Sequence, residues 1–97
     1  MCAPLVGGLS LEGIDVAKET VIQGVVEAAG HPVPGAFVRL LDASGEFTAE
    51  VVTSATGGFR FFAAPGRWTV RALSIAGAGQ AAVDALGGDV SETTIRL

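Results

Sequence analysis

Clusters of Gly, Pro, Ser and Asp divide the sequence from Thr20 onward into short apolar segments. The connectors read AAGHPVPG, ASGE, ATGG, APG, AGAG and LGGD, and these residue types supply the positive or fixed φ angles that a reversing chain needs. No segment between them holds a helical period over a dozen residues, whereas most alternate apolar and polar side chains, which indicates β-strands. The predicted strands are 20–27, 36–42, 47–54, 59–63, 67–75, 80–85 and 90–96.

Seven short strands at this spacing predict an all-β, seven-stranded antiparallel Greek-key sandwich over residues 19–97, preceded by an N-terminal tail over 1–18. Short connectors favour antiparallel neighbours, because a parallel pair needs a long crossover. The 97 residues leave room for one domain, and 49% hydrophobic against 16% charged residues is typical of a chain that folds.

Alternation along the strands assigns side chains to an inner or an outer face. The predicted inner set is Ile22, Val26, Val38, Leu40, Phe47, Val51, Phe59, Phe61, Trp68 and Val70. The opposite parity gives an outer set of mixed aromatic and charged side chains, namely Phe37, Arg39, Glu50, Arg60, Phe62 and Arg71. Exposed aromatics beside arginine are typical of binding hot spots. We therefore predict that this outer set binds a partner protein, with a homo-oligomer interface or cover by the chain's own tail as alternatives.

Charge and composition argue against other classes of function. Ten acidic residues against six basic ones, without a basic run, disfavour binding to nucleic acid or to an anionic membrane. No apolar stretch approaches the ~18 residues of a membrane span. The first residues have neither the basic region nor the apolar stretch of a signal peptide, so we expect a cytoplasmic protein.

The residues that usually carry chemistry are sparse and scattered. The single histidine, His31, lies in a turn, where we expect it to face solvent, and none of the serines lies in a GxSxG context. One histidine, one cysteine and scattered carboxylates do not form a metal-binding pattern. We predict a protein that is not an enzyme, with no catalytic residues, no metal and no cofactor.

Four segments resemble the recurring plan of the carboxypeptidase regulatory-like, or prealbumin-like, sandwich domains. They are a strand with an internal glycine (IQGVV), a Gly-Pro turn (GHPVPGAFV), a Thr-Gly turn before a Phe-x-Phe strand (SATGGFRFF), and a Pro-Gly-aromatic start (APGRWTVRAL). The resemblance covers about 22–73 and implies the fold without implying a function. The transthyretin-like hydrolases of this fold have several histidines and a Tyr-rich C-terminal signature, whereas this chain has one His and no Tyr.

A narrower resemblance covers nearly the whole chain. GAFVRLLD, the run EFTAEVVTSATGGFRFFAAPGRWTVRAL and the MC start resemble the SseC-like family of small actinobacterial proteins. The family name implies sulfur metabolism, and the genes of this family tend to lie beside thiosulfate sulfurtransferases of the rhodanese type, so the resemblance implies such an enzyme as a partner. The resemblance makes Cys2 a candidate sulfur carrier, because an accessible thiolate can accept sulfur from a persulfide; the alternative is a tail residue without a role.

A carbohydrate-binding sandwich is a third hypothesis, disfavoured because parity turns the single Trp68 inward.

Overall fold

The computed structural model describes residues 20–97, which form eight β-strands in two sheets. The strands are β1 (Val21–Ala28), β2 (His31–Pro32), β3 (Phe37–Leu41), β4 (Phe47–Val52), β5 (Gly58–Phe62), β6 (Gly66–Ser74), β7 (Gly77–Ala85) and β8 (Val90–Arg96). All seven predicted strands are present, and the two-residue β2 is additional. The predicted tail over 1–18 lies outside the described residues. Within 20–97 no helix has the length and apolar character needed to cross a membrane.

The two sheets face each other, and their strand order confirms the all-β sandwich. Sheet I has β1 at its centre, with β5 and β2 on one side and β8 on the other; sheet II has the order β4-β3-β6-β7. All pairs are antiparallel except β1 and β8, which run parallel from the pair Val21–Val90 to the pair Glu27–Arg96. The expectation of purely antiparallel strands is therefore corrected at one pair. Short connectors favour antiparallel pairing only between strands that follow each other in the sequence, whereas the rest of the domain separates β1 from β8.

The core lies between the two sheets and contains most of the predicted inner set. The buried cluster consists of Ile22, Val26, Ala36, Val38, Leu40, Phe59, Phe61, Val70, Ala72, Val83, Ala85 and Ile95. The rings of Phe59 and Phe61 lie 6.1 Å apart between centroids and are tilted by 55°. Val51 and Trp68 pack against this cluster from partly buried positions, and the indole N–H of Trp68 donates to the carbonyl of Ala64 at 2.8 Å. Trp68 therefore contacts the core from its rim.

Phe47 is the member of the predicted inner set that the structure contradicts, because its side chain is exposed. The β3–β4 register shifts between Leu40 and Leu41, so that Leu40 faces Ala49 whereas Leu41 faces Phe47. The extra residue on β4, Thr48, reverses the alternation at that point. As a result Phe47 lies on the outer face, where the Arg39 guanidinium carbon is 5.8 Å from its ring centroid.

Gly24 provides the space in which β8 and the Phe59 ring lie close to β1. It lies at the centre of β1, opposite Phe59 on β5 and Thr93 on β8. A Cβ at this position would overlap the carbonyl oxygen of Thr93, and it would lie 3.0 Å from Cζ of Phe59. The internal glycine of the IQGVV segment therefore allows the close approach of β8 and makes room for the largest core ring.

A buried threonine fastens the segment before β3 to the end of β4. Thr53 Oγ1 accepts a hydrogen bond from the Ala36 backbone N–H at 2.8 Å and donates one to the Val33 carbonyl at 2.7 Å. The Thr53 backbone N–H also donates to the Ala36 carbonyl at 2.9 Å. One side chain thus satisfies backbone groups that are shielded from water.

We expect Thr53→Val to lower the free energy of unfolding by about 1–3 kcal/mol, because the nearly isosteric side chain leaves the buried Ala36 N–H without its acceptor. For a domain of this size each kcal/mol corresponds to a fall in Tm of about 4–8 °C. Thermal unfolding followed by circular dichroism measures the effect. Thr53→Ser keeps the hydroxyl and is the control; a loss as large in Thr53→Ser as in Thr53→Val would assign the effect to packing.

Candidate functional site

The six residues of the predicted partner surface do not form one face. Phe37, Arg39, Glu50 and Arg71 lie together on the outer side of sheet II, on β3, β4 and β6. Arg60 and Phe62 lie on β5, which belongs to sheet I on the other side of the sandwich. The predicted single surface is therefore corrected to two surfaces. Alternation predicts whether a side chain points toward or away from the core, but it does not predict which of the two sheets a strand joins.

An exposed apolar row crosses three strands of sheet II. Phe37 on β3 is directly opposite Val52 on β4 and, on its other side, directly opposite Leu73 on β6. All three side chains are exposed. We call these three residues the apolar row. Scattered single apolar side chains are normal on a protein surface, whereas a contiguous set held on a rigid sheet indicates a contact surface.

The hairpin between β6 and β7 carries another exposed apolar side chain close to the end of this row. Ser74 pairs with Gly77, so Ile75 and Ala76 form the turn, and Ile75 is fully exposed. Such turns usually contain Gly, Asn, Asp or Ser. The Ile75 side chain is therefore not explained by the geometry of the turn, and it lies two residues from Leu73.

A charged row runs beside the apolar row. It lies two residues later on β3 and, because β6 is antiparallel to β3, two residues earlier on β6. Arg39 is directly opposite Glu50 on one side and Arg71 on the other. Arg39 Nε donates to Glu50 Oε2 at 2.9 Å, and Arg71 Nε donates to Oε1 of Gln80 on β7 at 3.2 Å. We call Glu50, Arg39, Arg71 and Gln80 the charged row, and the two rows together the docking face.

The outer side of sheet I has a different character. Arg60 is only 3% exposed, and its Nε donates to Gln23 Oε1 at 3.1 Å. Gln23 in turn donates from Nε2 to Glu92 Oε2 at 3.3 Å. Burial lowers the pKa of the Arg60 guanidinium. Arg60 is therefore enclosed in a polar chain across β5, β1 and β8, and it is not available to a partner in the way that Arg39 and Arg71 are.

A small groove lies between β1 and β8 in sheet I. Its volume is about 290 Å³, and it is lined by Gly24, Val25, Glu92, Thr93 and Thr94. This is the low end of the size range of ligand pockets, and the lining is not predominantly apolar. In the part of the chain from 20 to 97, no three His, Cys, Asp or Glu side chains are grouped so that they could hold a metal ion.

The remaining candidates are separated from the docking face or lie outside the described residues. His31 is exposed on β2 in sheet I, as expected of a turn histidine. Cys2 lies outside the described residues. Leu73 and Val52 were not part of the predicted surface, although alternation places Leu73 on the side of Arg71 and Val52 on the side of Glu50.

These features define a class of protein: an all-β, prealbumin-type sandwich with an exposed apolar and arginine-bearing sheet face. The chain belongs to the family described as "Protein of unknown function (DUF1416)", which it matches over residues 2–97. The uncharacterized protein Rv0814c of Mycobacterium tuberculosis is 58% identical over 99 residues, spanning 100% of this chain and 99% of that protein. An uncharacterized protein of Mycolicibacterium smegmatis is 62% identical over 86 residues, spanning 88% of this chain and 96% of that protein.

Solved structures support the fold. The 5-hydroxyisourate hydrolase of Klebsiella pneumoniae superposes with a TM-score of 0.59 over 79% of this chain and 88% of that one, at 24% sequence identity. At this identity the likeness concerns the arrangement of the strands. A shared sandwich does not carry activity from one protein to another, because function resides in the side chains placed on the fold.

Proposed function

We propose that this protein is a non-enzymatic docking module that binds a partner protein through the docking face. The observation that supports this most directly is the apolar row, in which Val52, Phe37 and Leu73 are adjacent across three strands and all exposed. These side chains stand on paired strands of sheet II, so little conformational entropy is lost from the backbone when a partner binds. Arginine beside exposed aromatic and aliphatic side chains is the composition of an interface centre.

Our candidate partner is a thiosulfate sulfurtransferase of the rhodanese type. The support for this choice is the resemblance of residues 36–73 to the SseC-like family, whose name implies sulfur metabolism; a cytoplasmic location belongs to the same proposal. The alternative in which Cys2 carries sulfur stays a prediction, because Cys2 lies outside the described residues. A carbohydrate-binding role has less support, since the Trp68 indole is partly buried and its N–H donates a hydrogen bond to the Ala64 carbonyl.

The test measures binding of the full chain to a purified sulfurtransferase of this type by biolayer interferometry. We expect Phe37→Ser to weaken binding by about tenfold or more, because truncating a central aromatic side chain typically costs more than 1 kcal/mol. Phe62→Ser is a matched control: Phe62 is 49% exposed against 50% for Phe37, but it lies on sheet I. We expect this control to bind within about twofold of the wild type.

Three outcomes would count against the proposal. Absence of binding at about 100 µM sulfurtransferase would remove this partner. Loss of binding in Phe62→Ser but not in Phe37→Ser would place the contact on sheet I. Equal loss in both variants, with both folded by circular dichroism, would contradict a contact confined to sheet II.

A further inference from the structure

The charged row contains two guanidinium groups on adjacent strands but only one carboxylate. Arg39 and Arg71 are directly opposite each other on β3 and β6. Like charges directly opposite each other on paired strands are destabilising. Glu50 neutralises Arg39, whereas the hydrogen bond of Arg71 goes to the uncharged amide of Gln80. The centre of the docking face is therefore locally positive in a chain whose net charge is −4.

The other exposed arginines within 20–97 are arranged differently. Arg67 Nε lies 3.1 Å from Asp84 Oδ1, and Arg96 Nε lies 3.9 Å from Glu27 Oε1. Arg39 forms an ion pair with Glu50. Of the four exposed arginines in the described range, only Arg71 therefore contacts no carboxylate. A carboxylate brought by a partner would meet both Arg71 and the neighbouring Arg39, and charge-assisted hydrogen bonds of this kind are the stronger ones.

The apolar row determines which side chain the partner must present beside that carboxylate. Leu73 is two residues from Arg71 on β6, and Phe37 is two residues from Arg39 on β3, with the side chains of each pair on the same face. Two residues of a strand span about 6.8 Å. A partner that covers both rows therefore presents an apolar side chain and a carboxylate separated by about this distance, which is the spacing of residues i and i+2 in an extended segment.

We propose that the docking face recognises an extended segment of a partner protein that carries Asp or Glu and, two residues away, a large apolar side chain. The carboxylate lies between Arg71 and Arg39, and the apolar side chain packs on Phe37 and Leu73. This inference rests on the proposed function and specifies the chemistry of the partner. It does not depend on the partner being a sulfurtransferase.

The test uses three blocked peptides with the central sequences Leu-Thr-Glu, Leu-Thr-Gln and Leu-Thr-Lys, each flanked by Thr and titrated into the isotope-labelled full chain. We expect the Glu peptide to shift the amide resonances of residues 37–39 and 71–73 and the Nε–Hε resonance of Arg71. We expect about fivefold weaker binding of the Gln peptide and weaker still of the Lys peptide, because an exposed charge pair contributes up to about 1 kcal/mol. The preference should shrink at high salt.

Two variants assign the preference to its residue. Arg71→Gln should abolish the preference for Glu over Gln while binding of the Gln peptide stays the same. Arg96→Gln removes an exposed arginine from sheet I and should leave the preference intact.

The proposal is overturned if the Glu and Gln peptides bind equally, if the Lys peptide binds best, or if no peptide shifts these resonances at about 5 mM. In each case the sulfurtransferase experiment still decides whether the docking face binds a protein. Sedimentation equilibrium gives the remaining outcome: a wild-type dimer that Leu73→Ser dissociates would identify a second copy of the chain as the occupant and would also overturn the proposal.

Discussion

Phe59→Ala should lower the free energy of unfolding by about 3–5 kcal/mol, which is most of the stability of many small domains. Phe59 is completely buried, is the second residue of β5 and packs against Phe61. Truncation removes the apolar area of a whole ring and leaves a cavity between the sheets. The two sheets can move together only in part to fill this cavity. Urea unfolding monitored by circular dichroism and by Trp68 fluorescence measures the loss.

Phe62→Ala provides the matched control for this prediction. Phe62 lies on the same strand, but its ring is about half exposed, so its truncation should cost less than about 1 kcal/mol. If Phe59→Ala cost no more than Phe62→Ala, the core would not lie where the structure places it.

Gly24→Ala should destabilise the domain by about 3 kcal/mol or more, although it adds only one methyl group. The new Cβ would overlap the Thr93 carbonyl oxygen and would lie 2.8 Å from the Thr93 carbonyl carbon. Relief requires β8 to move away from β1, because a backbone carbonyl cannot rotate out of the way as a side chain does. Overpacking of this kind typically costs about 1–3 kcal/mol, and more where backbone must shift.

Gly45→Ala separates this clash from the general cost of replacing glycine. Gly45 has a φ of 86°, so alanine is strained there, but nothing lies within 4 Å of the added Cβ. We expect about 1–2 kcal/mol for this variant from backbone strain alone. A smaller loss in Gly24→Ala than in Gly45→Ala would contradict the close approach of β8 to β1.

Local patterns were sufficient to predict the strands, because turns and alternation are properties of neighbouring residues. The seven strands lie close to their predicted positions, and β7 begins three residues earlier than expected, at Gly77. Its first residues, Gly77, Ala78 and Gly79, have no apolar–polar alternation. They are strand residues because they pair with Leu73 and its neighbours on β6, and this depends on tertiary contact.

The errors have two physical causes. Phe47 was assigned to the core because alternation was extended through Thr48, and a bulge of one residue is not visible in the apolar pattern. Arg60 and Phe62 were grouped with Phe37 because parity does not determine which sheet a strand joins. The docking face was therefore predicted only in part: its arginines and Phe37 were found, whereas its separation from sheet I required the strand order.

The parallel pairing of β1 with β8 has a consequence for biosynthesis. The central strand of sheet I has β8 as its neighbour along Val21–Glu27, and β8 is the final strand of the described chain. During translation β1 therefore leaves the ribosome with one edge unsatisfied, and that edge stays open until residues 90–96 have emerged. Contacts of such long sequence separation slow folding. A nascent chain stalled before Val90 should accordingly be a substrate for chaperones and proteases.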